Sequence, residues 1–234
     1  RALALGDFDL DGDLDVAIAA GALATIEIAL NNGDGTFTAP VDVALAAAFD
    51  PQAMVAADFN QDGRLDLAVA SGLTGEVAIL LGDGLGSFGV PTPNTIALGA
   101  ELVSVAAADF NRDGRIDLAA VNRTTGTVGV LLGNGNGTFS LFTTVTAGAD
   151  ASALAVADVD RDGRLDLVAT LQASAQVVVM LGNGLGGFGT PMALASGGVD
   201  ASSLTVADID NDGVLDVVVG HTTSGELGVL LGAE

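Results

Sequence analysis

The chain has no cysteine, no lysine, no tryptophan and no tyrosine, and a single histidine among its 234 residues. Each absence excludes something. Without cysteine there are no disulfides, no thiolate metal sites and no cysteine nucleophile. With one histidine, a serine or threonine nucleophile would have to use His221 or a carboxylate as its base, and nothing in the spacing singles out such a pair. No apolar run reaches the roughly 18 residues that a membrane-spanning helix needs. Positive charge is scarce as well: all seven basic residues are arginines, set against 30 acidic ones, for a net charge of −23. Such a surface repels nucleic-acid backbones and anionic bilayers and favours cations. Neither nucleic-acid binding nor membrane insertion is therefore expected.

What is present is acidic and repeated. The stretches DFDLDGDLD, DFNQDGRLD, DFNRDGRID, DVDRDGRLD and DIDNDGVLD begin at residues 7, 58, 109, 158 and 208, at spacings of 51, 51, 49 and 50. A period near 50 with short apolar runs marks a repeat architecture. Each unit opens with a short apolar stretch such as MVAAD or LTVAD and passes through the acidic loop. It continues into an aliphatic run such as LDLAVA or LDVVVG, turns, and forms a second run such as EVAILLG or QVVVMLG. A glycine-rich corner with one phenylalanine and a weaker closing strand complete the unit. Runs of four to seven residues bounded by Gly, Asn, Asp and Pro read as strands. The alanine-rich segments have helical propensity, but their length and register within the repeat favour strand.

The expected fold is therefore all-β: a five-bladed β-propeller of four-stranded antiparallel blades. It forms one domain over residues 1–234, with repeats at about 1–50, 51–101, 102–150, 151–200 and 201–234. The fifth repeat ends at GVLLGAE without an outer strand, so its third strand, near Leu227 to Leu231, is expected to be an apolar edge.

The acidic loops pose a chemical question, because clustered carboxylates repel unless a cation sits between them. In the pattern D-x-[DN]-x-D-G-x-x-D, side-chain oxygens at places one, three, five and nine can converge if glycine at place six turns the backbone. The candidate ligands are Asp7, Asp9, Asp11 and Asp15 in the first loop, and Asp58, Asn60, Asp62 and Asp66 in the second. The third offers Asp109, Asn111, Asp113 and Asp117, the fourth Asp158, Asp160, Asp162 and Asp166, and the fifth Asp208, Asp210, Asp212 and Asp216. The seventh place, Asp13, Arg64, Arg115, Arg164 or Val214, offers its backbone carbonyl. Hard oxygen donors on a flexible loop suit Ca²⁺, and about five ions are expected. Five divalent ions would leave about −13 of the −23 charge. The loop is not an EF-hand, since its twelfth place carries Ile18, Val69, Ala120, Ala169 or Val219 rather than glutamate. Loops 2 and 3, with one asparagine each, are expected to bind calcium more weakly than loops 1, 4 and 5.

These loops, with SFGVP at 87–91 and GFGTP at 187–191, resemble the FG-GAP or VCBS-type repeats that form the calcium-binding propeller at the head of integrin α subunits. The resemblance covers the whole chain. It implies calcium between the first and second strands of each unit, on one face of the propeller, and partner binding on the opposite face by the turns that join the second strand to the third and the fourth to the next unit's first.

Together these readings predict a non-enzymatic, calcium-binding propeller, extracellular or at the cell surface, acting as an adhesion or protein-interaction scaffold. Its partner is another protein or itself. A glycan is disfavoured, because there is no Trp or Tyr to stack on. A second reading is a subunit of a homopolymeric assembly joined by strand complementation at the fifth unit. A third is a propeller-fold hydrolase or lyase. His221 itself reads as a surface residue, and the regularly placed phenylalanines read as core.

Overall fold

Each repeat folds as one antiparallel sheet in a computed structural model that describes residues 2–20, 24–89 and 92–232. Blade 1 holds β1 (Leu3–Gly6), β2 (Asp15–Ala20), β3 (Thr25–Ala29) and β4 (Val41–Ala44). Blade 2 holds β5 (Pro51–Ala57), β6 (Asp66–Ser71), β7 (Glu76–Leu80) and β8 (Thr92–Ala97). Blade 3 holds β9 (Leu102–Ala108), β10 (Asp117–Asn122), β11 (Thr127–Gly133) and β12 (Phe139–Thr146). Blade 4 holds β13 (Ala151–Ala157), β14 (Asp166–Leu171), β15 (Gln176–Met180) and β16 (Met192–Ala195). Blade 5 holds β17 (Ala201–Ala207), β18 (Asp216–His221) and β19 (Leu227–Leu230). Strands follow one another across every sheet in chain order, and the last sheet has three strands. The all-β propeller expected from the sequence is the fold observed. The described residues include no helix long and apolar enough to cross a membrane.

Burial explains why the second strand of each blade reads as an unbroken aliphatic run. β6, β10 and β14 are buried at every position. Each lies between two neighbouring blades, so neither face meets water and no polar alternation is required. The core is correspondingly divided into seams. Ala17, Ala19, Ile26 and Ile28 of blade 1 pack on Met54, Leu67, Val69 and Leu80 of blade 2, and comparable clusters fill the later seams.

Phenylalanines clasp the seams near the acidic loops. The ring after the first loop aspartate meets the corner ring of the next blade edge to face. Phe8 and Phe88 lie 5.4 Å apart, Phe59 and Phe139 5.5 Å, and Phe110 and Phe188 5.6 Å between ring centroids. Edge-to-face contact suits the ring quadrupoles. Beside each clasp a corner glycine N–H donates to the carbonyl of the preceding blade's phenylalanine: Gly86 to Phe8 at 3.0 Å, Gly137 to Phe59 at 3.0 Å and Gly186 to Phe110 at 3.1 Å.

The blades run round an open arc. β1 packs on β5, β5 on β9, β9 on β13 and β13 on β17. Among the described residues no such packing joins β17 back to β1. The outer face of blade 1 shows the consequence. β2 alternates between buried and more exposed positions where its counterparts β6, β10 and β14 are buried throughout.

Candidate metal centre

The five acidic loops are built alike. Each begins after the end of the first strand and closes where the ninth-place aspartate opens the second, as in the pairs Gly6–Asp15, Ala57–Asp66 and Ala108–Asp117. The glycine at place six has φ between 81° and 98° in all five loops, the left-handed turn expected of it. The fourth place is left-handed too, although it carries Leu10, Gln61, Arg112, Arg161 and Asn211. These residue types share no feature that would have revealed the strain from sequence. The hydrogen bonds within the loop hold them there.

The ninth-place aspartates are buried, and each carboxylate staples two chain segments. One oxygen accepts the N–H that follows the first aspartate: Phe8 to Asp15 at 2.7 Å, Phe59 to Asp66 and Phe110 to Asp117 at 2.9 Å, Val159 to Asp166 at 2.9 Å, and Ile209 to Asp216 at 2.8 Å. The other oxygen accepts an N–H at or just past the end of the third strand, from Asn31, Gly82, Gly133, Gly182 or Gly232, at 2.7–2.9 Å. At this last position blades 2 to 4 need glycine: a Cβ on Gly133 would lie 2.2 Å from the Ile116 carbonyl oxygen. Burial raises the carboxyls of Asp66, Asp117 and Asp166 above their ordinary value. The two backbone bonds oppose the rise, and the neighbouring loop aspartates add to it. Asp216, at the open end of the arc, is instead lowered by its bonds from Ile209 and Gly232.

The first-place aspartates accept the glycine N–H at 2.8–3.0 Å. The third-place residues accept the N–H of the fifth at 3.0–3.2 Å. Three loops gather carboxylates tightly. Asp7, Asp9 and Asp15, then Asp158, Asp160 and Asp166, then Asp208, Asp210 and Asp216 each bring one oxygen apiece within 4.8 Å of one another. The carboxyl of Asp9 is raised by burial and by repulsion from Asp11, Asp15 and Asp7.

The fifth-place aspartates stand outside these triads. Asp11, Asp62, Asp113, Asp162 and Asp212 each accept the N–H two residues on, from the seventh place, at 2.7–3.0 Å. In blades 2 to 4 the seventh-place arginine also turns its side chain onto the same carboxylate. Arg64 lies 3.7 Å from Asp62, Arg115 2.5 Å from Asp113, and Arg164 2.7 Å from Asp162. Composition and spacing did not reveal this use of the arginines.

The donor set fits a hard cation. Every side-chain donor is oxygen, and in two loops one oxygen stands orphaned: Oδ1 of Asp158 and Oδ1 of Asp208 are buried with no hydrogen-bond partner. A buried charged acceptor without a partner is costly unless something positive meets it. In loops 1 to 3 the equivalent oxygen is satisfied, accepting the N–H of Asp11, Asp62 or Asp113 at 3.1 Å.

His221 lies elsewhere than expected. It is buried between blades 4 and 5, with Nε2 3.0 Å from Ser196 Oγ. Ser196 spends its own proton on the Ala175 carbonyl at 2.8 Å, so the imidazole donates to the hydroxyl. A Cβ on Gly198 would lie 2.7 Å from the ring, so the seam is fitted round it. Phe37 departs from the other corner phenylalanines and is exposed.

Comparison with known proteins follows the same outline. The profile of the FG-GAP-like repeat matches residues 7–69, 58–120, 111–169 and 166–219. No curated protein sequence matches the chain. Among solved structures, a lectin of Agrocybe aegerita that recognises non-reducing terminal N-acetylglucosamine superposes with a TM-score of 0.66 at 21% identity, over 97% of this chain and 65% of its own. The periplasmic gluconolactonase of Pseudomonas aeruginosa gives 0.60 at 19%, over 97% and 68%. A protein of unknown function from Bacteroides caccae gives 0.57 at 14%, over 93% and 69%. The chain thus spans about two thirds of the length of the structures it resembles, and the likeness is one of fold.

Proposed function

The chain belongs to the FG-GAP-like repeat family, and from that premise we propose that it is a calcium-stabilised propeller scaffold of the cell exterior that binds a protein partner. The observation that carries the calcium reading is the pair of orphaned, buried oxygens on Asp158 and Asp208, each within a triad of carboxylates. Bound calcium would supply the missing positive charge. Asp158, Asp160 and Asp166 would hold it in blade 4, Asp208, Asp210 and Asp216 in blade 5, and Asp7, Asp9 and Asp15 in blade 1. Loops 2 and 3 retain Asp58, Asn60 and Asp66, and Asp109, Asn111 and Asp117, as weaker sets. The chain's own part is to fix these oxygens: the ninth-place staple and the two left-handed turns hold the loop in shape before an ion arrives. Affinity of the extracellular kind, on the order of 10⁻⁴–10⁻³ M or somewhat tighter, suits such surface loops.

The face opposite the loops supports the scaffold reading. A cavity of about 320 Å³ opens there between blades 2 and 3, lined by Asp50, Gln52, Glu101 and Arg123 among others. Binding is favoured over hydrolysis because Ser196 and His221, the one serine–histidine contact among the described residues, are buried and their hydrogen bond is structural.

Titration calorimetry of the metal-free chain tests the calcium reading. Heat of binding is expected for calcium, with the tightest sites lost in Asp158→Asn and Asp208→Asn. Each site held at about 100 times its Kd adds about 2.7 kcal/mol of stability. A kilocalorie moves the Tm of a chain this size by about 2–4 °C. Chelator should therefore lower the Tm by many degrees, and a melt indifferent to chelator together with a flat titration would sink the proposal.

A further inference from the structure

We propose that Gln61 and Arg112, the fourth-place side chains of loops 2 and 3, are positioning residues for the metal site of the following blade, and that they couple ion binding along blades 2, 3 and 4. The coupling rests on the calcium reading above and adds communication between its sites. Each side chain leaves its own loop, crosses the seam and donates to the carbonyl of the next loop's sixth-place glycine: Gln61 Nε2 to Gly114 at 2.9 Å, and the Arg112 guanidinium to Gly163. The N–H of that same glycine is held by the first-place carboxylate of its own loop, Gly114 by Asp109 and Gly163 by Asp158, both at 2.8 Å. The glycine is thus gripped from both sides, once from within its site and once from the neighbouring blade.

Packing repeats the arrangement at three seams. A Cβ on corner Gly84, Gly135 or Gly184 would meet two side chains within 3.5 Å: the fourth-place residue of the preceding blade's loop, Leu10, Gln61 or Arg112, and the seventh-place arginine of its own blade's loop, Arg64, Arg115 or Arg164. The base of each link is the left-handed fourth place, with φ of 61° at Gln61 and 62° at Arg112. It lies between candidate ligands, Asn60 and Asp62 in one loop and Asn111 and Asp113 in the other. A residue that is not glycine keeps this conformation only while its surroundings impose it. Closing loop 2 or 3 on an ion therefore fixes the base of the link, and through it the glycine of the next loop. The effect is reciprocal by linkage. The three seams also grade the chemistry. Leu10 has no proton to donate, Gln61 donates without charge and Arg112 donates with it. A charge-assisted bond is the stronger kind, so loops 3 and 4 are coupled most and loops 1 and 2 are not coupled by this route.

A calcium titration of the isotope-labelled chain, followed by NMR, reads the loops one at a time, because in each the sixth-place glycine N–H donates to the first-place carboxylate. Disabling loop 3 with Asp109→Asn should raise the calcium midpoint at Gly163 by about fivefold, the low end for coupled sites, since the linking bond is exposed. Disabling loop 4 with Asp158→Asn should raise the midpoint at Gly114 by the same factor. In an Arg112→Leu background, which copies loop 1, Asp109→Asn should leave Gly163 unmoved; Arg112→Gln, which copies loop 2, should restore the response. Gln61→Leu with Asp58→Asn repeats the test on Gly114 if a loop 3 variant melts early. Asp7→Asn should leave Gly63 where it is, and a response there equal to that at Gly163 would assign the coupling to charge alone and overturn the proposal. So would a Gly163 midpoint indifferent to Asp109→Asn, or a response undiminished in Arg112→Leu. Glycine signals that move with calcium, but each on its own, sink the coupling and leave the calcium reading standing; signals that ignore calcium altogether sink both.

Discussion

The acidic loops of blades 2 and 4 follow one plan and differ most at the third place, Asn60 in one and Asp160 in the other. In loop 2 the Asn60 amide donates to Asp62 Oδ2 at 3.1 Å, and Asp58 Oδ1 accepts the Asp62 N–H at 3.1 Å. Loop 3 repeats the brace, with Asn111 donating to Asp113 at 2.9 Å. A carboxylate has no proton to give. In loop 4 that brace is therefore gone, and Asp158 Oδ1 is left buried and unpartnered. Loop 5, with Asp210, shows the same orphan on Asp208. Between loops 2 and 3 on one side and loops 4 and 5 on the other, the amide-for-carboxylate exchange goes with the loss of the brace and with the orphaned oxygen. Acidity alone is not the criterion. Loop 1 has an aspartate at the third place, yet Asp7 Oδ1 still accepts the Asp11 N–H at 3.1 Å.

The largest effect should come from the ninth-place staple, which both kinds of loop share. Asp117→Ala leaves the N–H groups of Phe110 and Gly133 without their acceptor. Each unsatisfied buried donor costs roughly 1–3 kcal/mol, so the loss is about 2–6 kcal/mol. The equivalent change in loop 4, Asp166→Ala, removes a staple and a member of a carboxylate triad together. Calorimetric melts with and without calcium separate the two roles. Asp117→Ala should lower the Tm by a similar amount in both conditions, whereas Asp166→Ala should lose more in calcium. Equal calcium responses in the two variants would break the distinction between the loops.

Exchanging the third-place residues should move less, and in opposite directions. Asp160→Asn gives loop 4 the amide brace, which is worth about 1 kcal/mol. Without calcium the variant should melt a few degrees higher than the parent, and its gain on adding calcium should shrink. Asn60→Asp should do the reverse in loop 2, lowering the metal-free Tm and enlarging the calcium increment. If both substitutions shift the metal-free melt the same way, the brace is not what distinguishes the loops.

The sequence made the blades legible because the constraint recurs. Five in-register loops, a glycine that must be left-handed and aliphatic runs covered on both faces all leave a pattern that survives change at other positions. It also named the residues of all three carboxylate triads. What it hid depends on pairings between particular atoms. The left-handed fourth place carries Leu10 and Arg161 alike, because the loop's hydrogen bonds impose that conformation and no side chain requests it. Arginine at the seventh place was visible, but its bond to the fifth-place aspartate was not. His221 looked exposed because it ends a strand beside a turn. It is buried because the connection through Ser196 and Gly198 lies over it. Phe37 could not be told from the other corner phenylalanines, because its exposure depends on the seams between blades.

The smallest effect should come from Arg164, and it bears on how an ion and a side chain share one carboxylate. Arg164 reaches Asp162 at 2.7 Å, with close to half of its side chain in solvent. An exposed pair of this kind adds about 0.2–1 kcal/mol. Arg164→Gln should therefore shift the Tm by no more than about 4 °C. Its effect on calcium should have the opposite sign to its effect on stability: with the guanidinium gone, Asp162 regains its charge for the loop, and titration should show blade 4 binding a few-fold more tightly. Because the competing pair is exposed, the gain should fade in high salt, where the Debye length drops to about 3 Å at 1 M. Blade 5, with Val214 at that place, supplies the control, since its site has no arginine to lose. Unchanged affinity in blade 4 would mean that the fifth-place carboxylate belongs to the turn alone, and that the three oxygens of Asp158, Asp160 and Asp166 are the whole of what the chain offers the ion there.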